Sequence, residues 1–173
     1  MAPKDAVEPV SWRELAVARS LDSARARAET RVQRFLDAAL ELMADSRTGK
    51  EFTVQEVVER SGQSLRSFYQ YFGGKQELLL ALFEESVRSS AEHLRTVIAE
   101  ETDPLERLHR FVVEYYVLCR PAKGKNGKRN TIPALAEFAQ QLLTAQPAEA
   151  ARVFTPLVSL FDDVLKEIGR AHV

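Results

Sequence analysis

From Arg31 the apolar positions fall into a helical rhythm. Val32, Phe35, Leu36, Ala39, Leu40 and Met43 repeat at the i, i+3, i+4, i+7, i+8, i+11 spacing that lines one face of a helix. This helix is expected to stop in Ser46–Lys50, where Gly49 is a natural terminator. Upstream, residues 1–24 carry two prolines and mixed polarity and predict a flexible arm rather than a packed element, with Trp12 and Leu15 able to dock. The stretch FTVQEVVERSG predicts a short helix with Thr53 as N-cap and Glu56 completing a capping box, closed by Gly62. Ser64 is the next cap, and Leu65, Phe68 and Phe72 share one side of the helix that Gly73-Gly74 closes.

Beyond the glycine pair a long helix is expected from Lys75 to about Glu101, with Leu78, Leu79, Leu82, Phe83, Val87, Leu94 and Ile98 on its apolar side. Asp103-Pro104 is a start signal for the next helix, whose inner face reads Leu105, Leu108, Phe111, Val112, Tyr115 and Cys119. Residues 120–130 form a basic, glycine-containing loop with Lys123, Lys125, Lys128 and Arg129 exposed. Two further helices are expected, Ile132 to about Thr144 and about Ala148 to Ile168. Thr155-Pro156 interrupts the second, as a kink or as the cap and first residue of a new helix. No stretch reads as a strand, so the expected class is all-α.

Composition narrows the chemistry. The 173 residues are 45% hydrophobic and 28% charged, and a net charge of −1 means that any nucleic-acid contact must come from a local patch. The single cysteine, Cys119, excludes an internal disulfide framework and a multi-cysteine zinc site and fits a reducing cytoplasm. The N-terminus lacks the apolar core of a secretory signal, and the longest apolar run, Leu78–Phe83, is too short for a bilayer, so a cytoplasmic location without membrane is expected. His93, His109 and His172 lie far apart, none at a zinc-binding helical spacing, and neither a phosphate-binding glycine loop nor a GxSxG nucleophile is visible. No cofactor, no metal and no enzymatic activity are expected.

Three short helices, the second and third joined at a glycine, describe a helix-turn-helix. The major groove admits the third of them. Arg66, in its first turn, is placed to pair bidentately with guanine, while Ser67 and Gln70 donate or accept. Ser64 stands with this set at the cap, and Leu65 either packs inward or presses on a thymine methyl. Tyr69 and Tyr71 carry hydroxyls suited to phosphate oxygens, and Lys75 adds a cation at a positive helix end. The alternative is an all-helical interaction or adaptor protein without DNA binding, in which Phe68, Phe72 and one tyrosine are core and Arg66 is plain surface. Arg25, Arg27, Arg31 and Arg34 ahead of the first helix serve either as a basic arm along the DNA or as a solvated helix start.

Residues 31–80 resemble the N-terminal DNA-binding domain of TetR-family transcriptional regulators. The likeness lies in the order FTVQEVVERSG, SLRSFYQYF and GGKQELLLALF, above all in Phe-Tyr-x-Tyr-Phe and Lys-x-Glu-Leu. It implies phosphate contacts from Thr53, Tyr69, Tyr71 and Lys75, and base or groove contacts from Gln55, Leu65, Arg66 and Ser67. Val58, Ser61 and Gly73 depart from the family's pattern, and none removes a DNA contact. The implied organisation is an arm at 1–24, a helix-turn-helix domain at 25–74 and an effector-binding and dimerisation domain at 75–173. The resemblance further implies a homodimeric, ligand-responsive regulator, most often a repressor, on a double-stranded, palindromic DNA operator. Phe111, Tyr115, Tyr116, Phe138 and Phe154 are candidates to line a pocket for an apolar or amphipathic small-molecule effector, with plain core as the other reading. Phe154, Leu157, Val158, Phe161, Val164, Leu165 and Ile168 offer a dimer face. Members commonly continue for another helix or so beyond the position of Val173, so either a compact member or an incomplete dimer face is expected.

Overall fold

The structure, a computed structural model, describes residues 11–45, 52–120 and 135–171. These form seven helices: α1 (Trp12–Asp45), α2 (Val54–Ser61), α3 (Leu65–Tyr71), α4 (Lys75–Ile98), α5 (Pro104–Cys119), α6 (Ala136–Ala145) and α7 (Pro147–Ala171). There is no strand among the described residues, as expected of an all-α chain. The terminator at Gly49, the basic loop at 121–130, the helix start at Ile132 and His172 lie outside the described residues.

The first correction concerns residues 12–24, which are helical rather than an arm without regular structure. Ser11 starts the helix: its hydroxyl accepts from the Arg13 N–H at 3.2 Å, and the Glu14 carboxylate accepts from the Ser11 N–H at 3.0 Å. No glycine or proline stands between Pro9 and Gly49 to break the helix so started. No residue of this extension is buried, and Trp12 is 79% exposed. Only from Val32 onward does α1 have a covered face, where Phe35, Leu36, Ala38 and Ala39 are buried.

An aromatic knot holds α1 to α3. The rings of Phe35 and Phe68 meet edge to face at 5.4 Å, and those of Phe35 and Phe72 at 6.1 Å. Val57 and Val58 of α2 and Leu78 of α4 complete this core. Leu65, expected on the same side as Phe68 and Phe72, instead faces solvent at 43% exposure. It precedes Phe68 by three residues in a helix of only seven, and the knot is already closed without it.

α4 is the spine of the second half, burying Leu82, Phe83, Val87, Ala91, Leu94 and Ile98. α7 packs on α4, α5 and α6 through Ala150, Val153, Leu157, Leu160 and Val164. α7 runs as one helix through Pro156, so no new helix is capped at Thr155, whose hydroxyl donates to the Ala151 carbonyl at 2.9 Å. The packing gained along α7 outweighs the one backbone hydrogen bond that proline removes. α5 corrects a further expectation. Asp103 caps it as read, accepting from Leu105 and Glu106, but its covered side is Leu108, Phe111, Tyr115 and Leu118. Leu105, Val112 and Cys119, assigned to the inner face, are exposed, because the partners α4 and α7 cover a narrower stripe than the apolar residues span.

Candidate nucleic-acid interface

Short-range hydrogen bonds fix the α2–turn–α3 unit before any packing is counted. Thr53 accepts from the Glu56 N–H at 3.2 Å while the Glu56 carboxylate accepts from the Thr53 N–H at 2.7 Å, the expected capping box. Gly62 ends α2 at φ +66°, a left-handed conformation that costs a side-chain-bearing residue about 1 kcal/mol or more. Ser64 then accepts from the Ser67 N–H at 3.1 Å to start α3. Two longer ties fasten the unit to α1: the Gln63 amide donates to the Arg31 carbonyl at 2.8 Å, and Arg60 pairs with Glu41 at 3.2 Å. The first turn of α3 therefore sits beside Arg31.

With Phe68 and Phe72 buried, the opposite side of α3 is forced outward. Arg66, Tyr69 and Gln70 stand exposed on it, with Leu65 exposed at its edge and Thr53, Gln55 and Ser64 exposed alongside; Ser67, Tyr71 and Lys75 are half-buried. The Arg66 guanidinium has no carboxylate partner among the described residues, so its five donors remain available. Tyr69 is 57% exposed, and its ring edge rests on Phe68 at 5.4 Å, a stiff mount for a hydroxyl. Tyr71 packs against the core and is half-buried. Lys75 lies over the Phe52 ring at 4.8 Å, which holds its ammonium at the edge of the unit. Gln55 is committed in part, its amide donating to Glu59 at 3.0 Å. Arg66, Tyr69 and Gln70 thus share the outward side of α3, with Leu65, Ser67 and Tyr71 toward its edges, and the donors of such a surface suit base edges and phosphate oxygens.

The five aromatics assigned to an effector pocket do not converge. Phe138 and Phe154 close on Phe83 at 6.0 and 5.3 Å, forming core between α4, α6 and α7. Phe111 stacks on Tyr115 at 6.2 Å and meets Phe161 at 5.3 Å between α5 and α7. Burial pushes the Tyr115 phenol above its ordinary pKa, and neighbouring Cys119 adds to this. Tyr116 is 62% exposed and lies under Arg120. Aromatics at helical spacing serve packing here, and spacing alone gives no signal of which groove stays open. An open cleft of about 400 Å³ lies elsewhere, between α1 and α4. Leu36, Leu40, Leu82 and Leu118 give it apolar walls, and Gln33 and His93 are among its polar groups. A smaller recess of about 290 Å³ between α4 and α6 includes Phe138. Among the described residues no group of acids, histidines and cysteine could hold a metal ion, and no helix is long and apolar enough to cross a membrane.

A glycine-turned helix pair with an outward polar face on a three-helix core defines a helix-turn-helix DNA-binding protein. Residues 35–82 match the family model of the bacterial regulatory proteins of the tetR family, so the chain carries that family's DNA-binding domain and is a DNA-binding transcriptional regulator. The fold is similar to that of the fatty acid degradation regulator FadR from Bacillus halodurans, with a TM-score of 0.58 and 20% sequence identity over 78% of this chain and 69% of that one. No curated protein matches the sequence.

Proposed function

We propose that the protein is a ligand-responsive homodimeric repressor, acting in the cytoplasm, that reads an approximately palindromic operator with α3. The observation that carries this reading is the outward face of α3, where Leu65, Arg66, Tyr69 and Gln70 are exposed on a helix whose other side is locked by Phe35, Phe68 and Phe72. Arg66 reads a base, Ser64 and Ser67 stand beside it, and Thr53, Tyr69, Tyr71 and Lys75 hold phosphates. Pairing of two copies is supported by apolar side chains left uncovered on α5 and α7, among them Val112, Tyr116, Val158, Phe161 and Leu165. The α1–α4 cleft is the more open place for an apolar or amphipathic effector, since the stretch of α1 that lines it through Gln33, Leu36 and Leu40 is also the stretch on which α2 and α3 pack through Arg31, Phe35 and Glu41. An effector bound there shifts the regulator only through its different affinity for the DNA-competent and incompetent arrangements.

The test is selection of bound fragments from a random DNA pool by the purified protein at two salt concentrations, with Arg66→Ala in parallel. A two-fold-related motif that weakens as salt rises is the expected result. On that motif Arg66→Ala is expected to cost about 1–3 kcal/mol and to relax one base position. Equal binding of every sequence by both proteins would overturn the assignment of Arg66, and no enrichment by the wild type would favour a helical interaction protein instead.

A further inference from the structure

The N-terminal extension of α1 is the largest feature that neither the core nor the reading of α3 uses. Between Trp12 and Arg34 it carries six arginines, Arg13, Arg19, Arg25, Arg27, Arg31 and Arg34, against three acids, Glu14, Asp22 and Glu29. Helical geometry sorts these charges. Arg13 and Arg31 are five full turns apart and point the same way, with Arg27 and Arg34 within about 60° of them. The three acids lie roughly 100° to 180° round from that stripe. Arg25, on the acidic side, is taken by Glu29 at 2.8 Å. The side chains of Arg13, Arg27, Arg31 and Arg34 are exposed and have no ion-pair partner among the described residues. Between Arg13 and Arg27 the same stripe holds Ala16, Val17, Ser20 and Ala24, none of them long or charged, so a flat or convex polyanion can approach the helix closely.

Position supplies the second half of the case. The Gln63–Arg31 hydrogen bond sets the first turn of α3 beside Arg31, so the extension leaves the domain at the end where α3 is proposed to meet DNA. From Arg31 back to Arg13 the helix spans about 27 Å, most of one turn of a DNA duplex. We propose that this helix is a second DNA contact, in which Arg13, Arg27, Arg31 and Arg34 track the phosphate backbone outside each operator half-site. The contact lengthens the footprint and raises affinity without adding sequence preference. It rests on the reading of α3 as the base-reading helix.

The experiment uses the full chain and a triple variant, R13A/R27A/R31A, with R13K/R27K/R31K as the charge-retaining control. Alanine is the strongest helix former and all three sites are exposed, so the helix is retained, which far-ultraviolet circular dichroism checks. On the selected operator the alanine variant is expected to bind roughly tenfold or more weakly at moderate salt, with the slope of log K against log salt reduced by about two to three. Its hydroxyl-radical footprint shortens at both outer edges while the selected motif stays the same, and the lysine variant restores slope and footprint. A wild-type slope and footprint in the alanine variant, with Arg66→Ala still impaired, would overturn this inference and leave the reading of α3 intact. A wild-type protein that binds no DNA at any salt overturns both. Arginine-dependent binding to vesicles containing phosphatidylglycerol, without any such dependence on DNA, would assign the stripe to a membrane surface and likewise overturn it.

Discussion

The two halves of the chain finish their cores differently. In the N-terminal unit Phe35, Phe68 and Phe72 are at most 6% exposed, and the outward side of α3 is mainly polar or a tyrosine hydroxyl. In the bundle of α4 to α7 the covered stripe is narrower than the apolar one, leaving Val112, Tyr116, Val158, Phe161 and Leu165 between 37% and 62% exposed. A monomer rarely leaves a large contiguous apolar patch to water. The first half is a self-sufficient core that presents chemistry; the second leaves part of its apolar stripe uncovered.

The largest expected effect tests the self-sufficient half. Phe68→Ala removes the ring that meets Phe35, Phe72 and Tyr69, and a buried Phe→Ala change costs about 3–5 kcal/mol. That is a large part of the roughly 5–15 kcal/mol that holds a typical domain. Denaturant unfolding is the measurement, and operator binding is expected to fall with it. A loss below about 1 kcal/mol would show that the knot is not what fixes α3.

Next in size is the incomplete half. Val158→Glu with Leu165→Glu places two carboxylates on the uncovered side of α7, at positions 61% and 43% exposed, so the monomer fold is spared. The expected result is a monomer by sedimentation or light scattering and roughly tenfold or greater loss of affinity for a two-half-site operator, because the second half-site no longer benefits from linkage. Binding to a single half-site should hardly change. A variant that remains dimeric would move the interface away from this face of α7.

Legibility from residues alone divides along the same line. Caps, turns and core of α2 and α3 are local: Thr53 with Glu56, Gly62, and Ser64 each sit within three or four residues of the groups they satisfy, and all appear where the sequence puts them. The Phe35 face of α1 is legible for the same reason, since one helical period decides it. The helix from Trp12 is equally local and yet escapes the sequence reading, because two prolines outweigh the Ser11-x-x-Glu14 box that starts it. In the bundle the decisive facts are non-local. Whether Leu105 and Val112 are covered depends on where α7 lies, and whether Phe138 and Phe154 line a cavity or fill one depends on Phe83, more than fifty residues away. Periodicity marks an apolar face but cannot say how much of it a partner covers.

The smallest expected effect concerns the seam between α4 and α7. Arg152 bridges Glu84 of α4 and Glu149 of its own helix; the arginine is exposed and the two carboxylates are half-buried. The hydrogen bond from Arg152 holds the Glu149 carboxyl below its ordinary pKa, and the same contact raises the guanidinium, which stays charged throughout. A carboxyl depressed in the fold stabilises it above the unfolded carboxylate pKa, and that contribution is lost as pH falls through the folded value. Arg152→Met should therefore lower Tm slightly at neutral pH, less at high salt, and less again in acid, where the contribution of Glu149 is lost. Parallel melting curves of the two proteins from neutral to acid pH are the measurement. A difference that persists unchanged in acid would mean that Arg152 acts by packing its stem, and the seam would then owe nothing to charge. The expected shrinkage would assign to charge a small share of a seam that Ala150, Val153, Leu157, Leu160 and Val164 otherwise make by apolar packing.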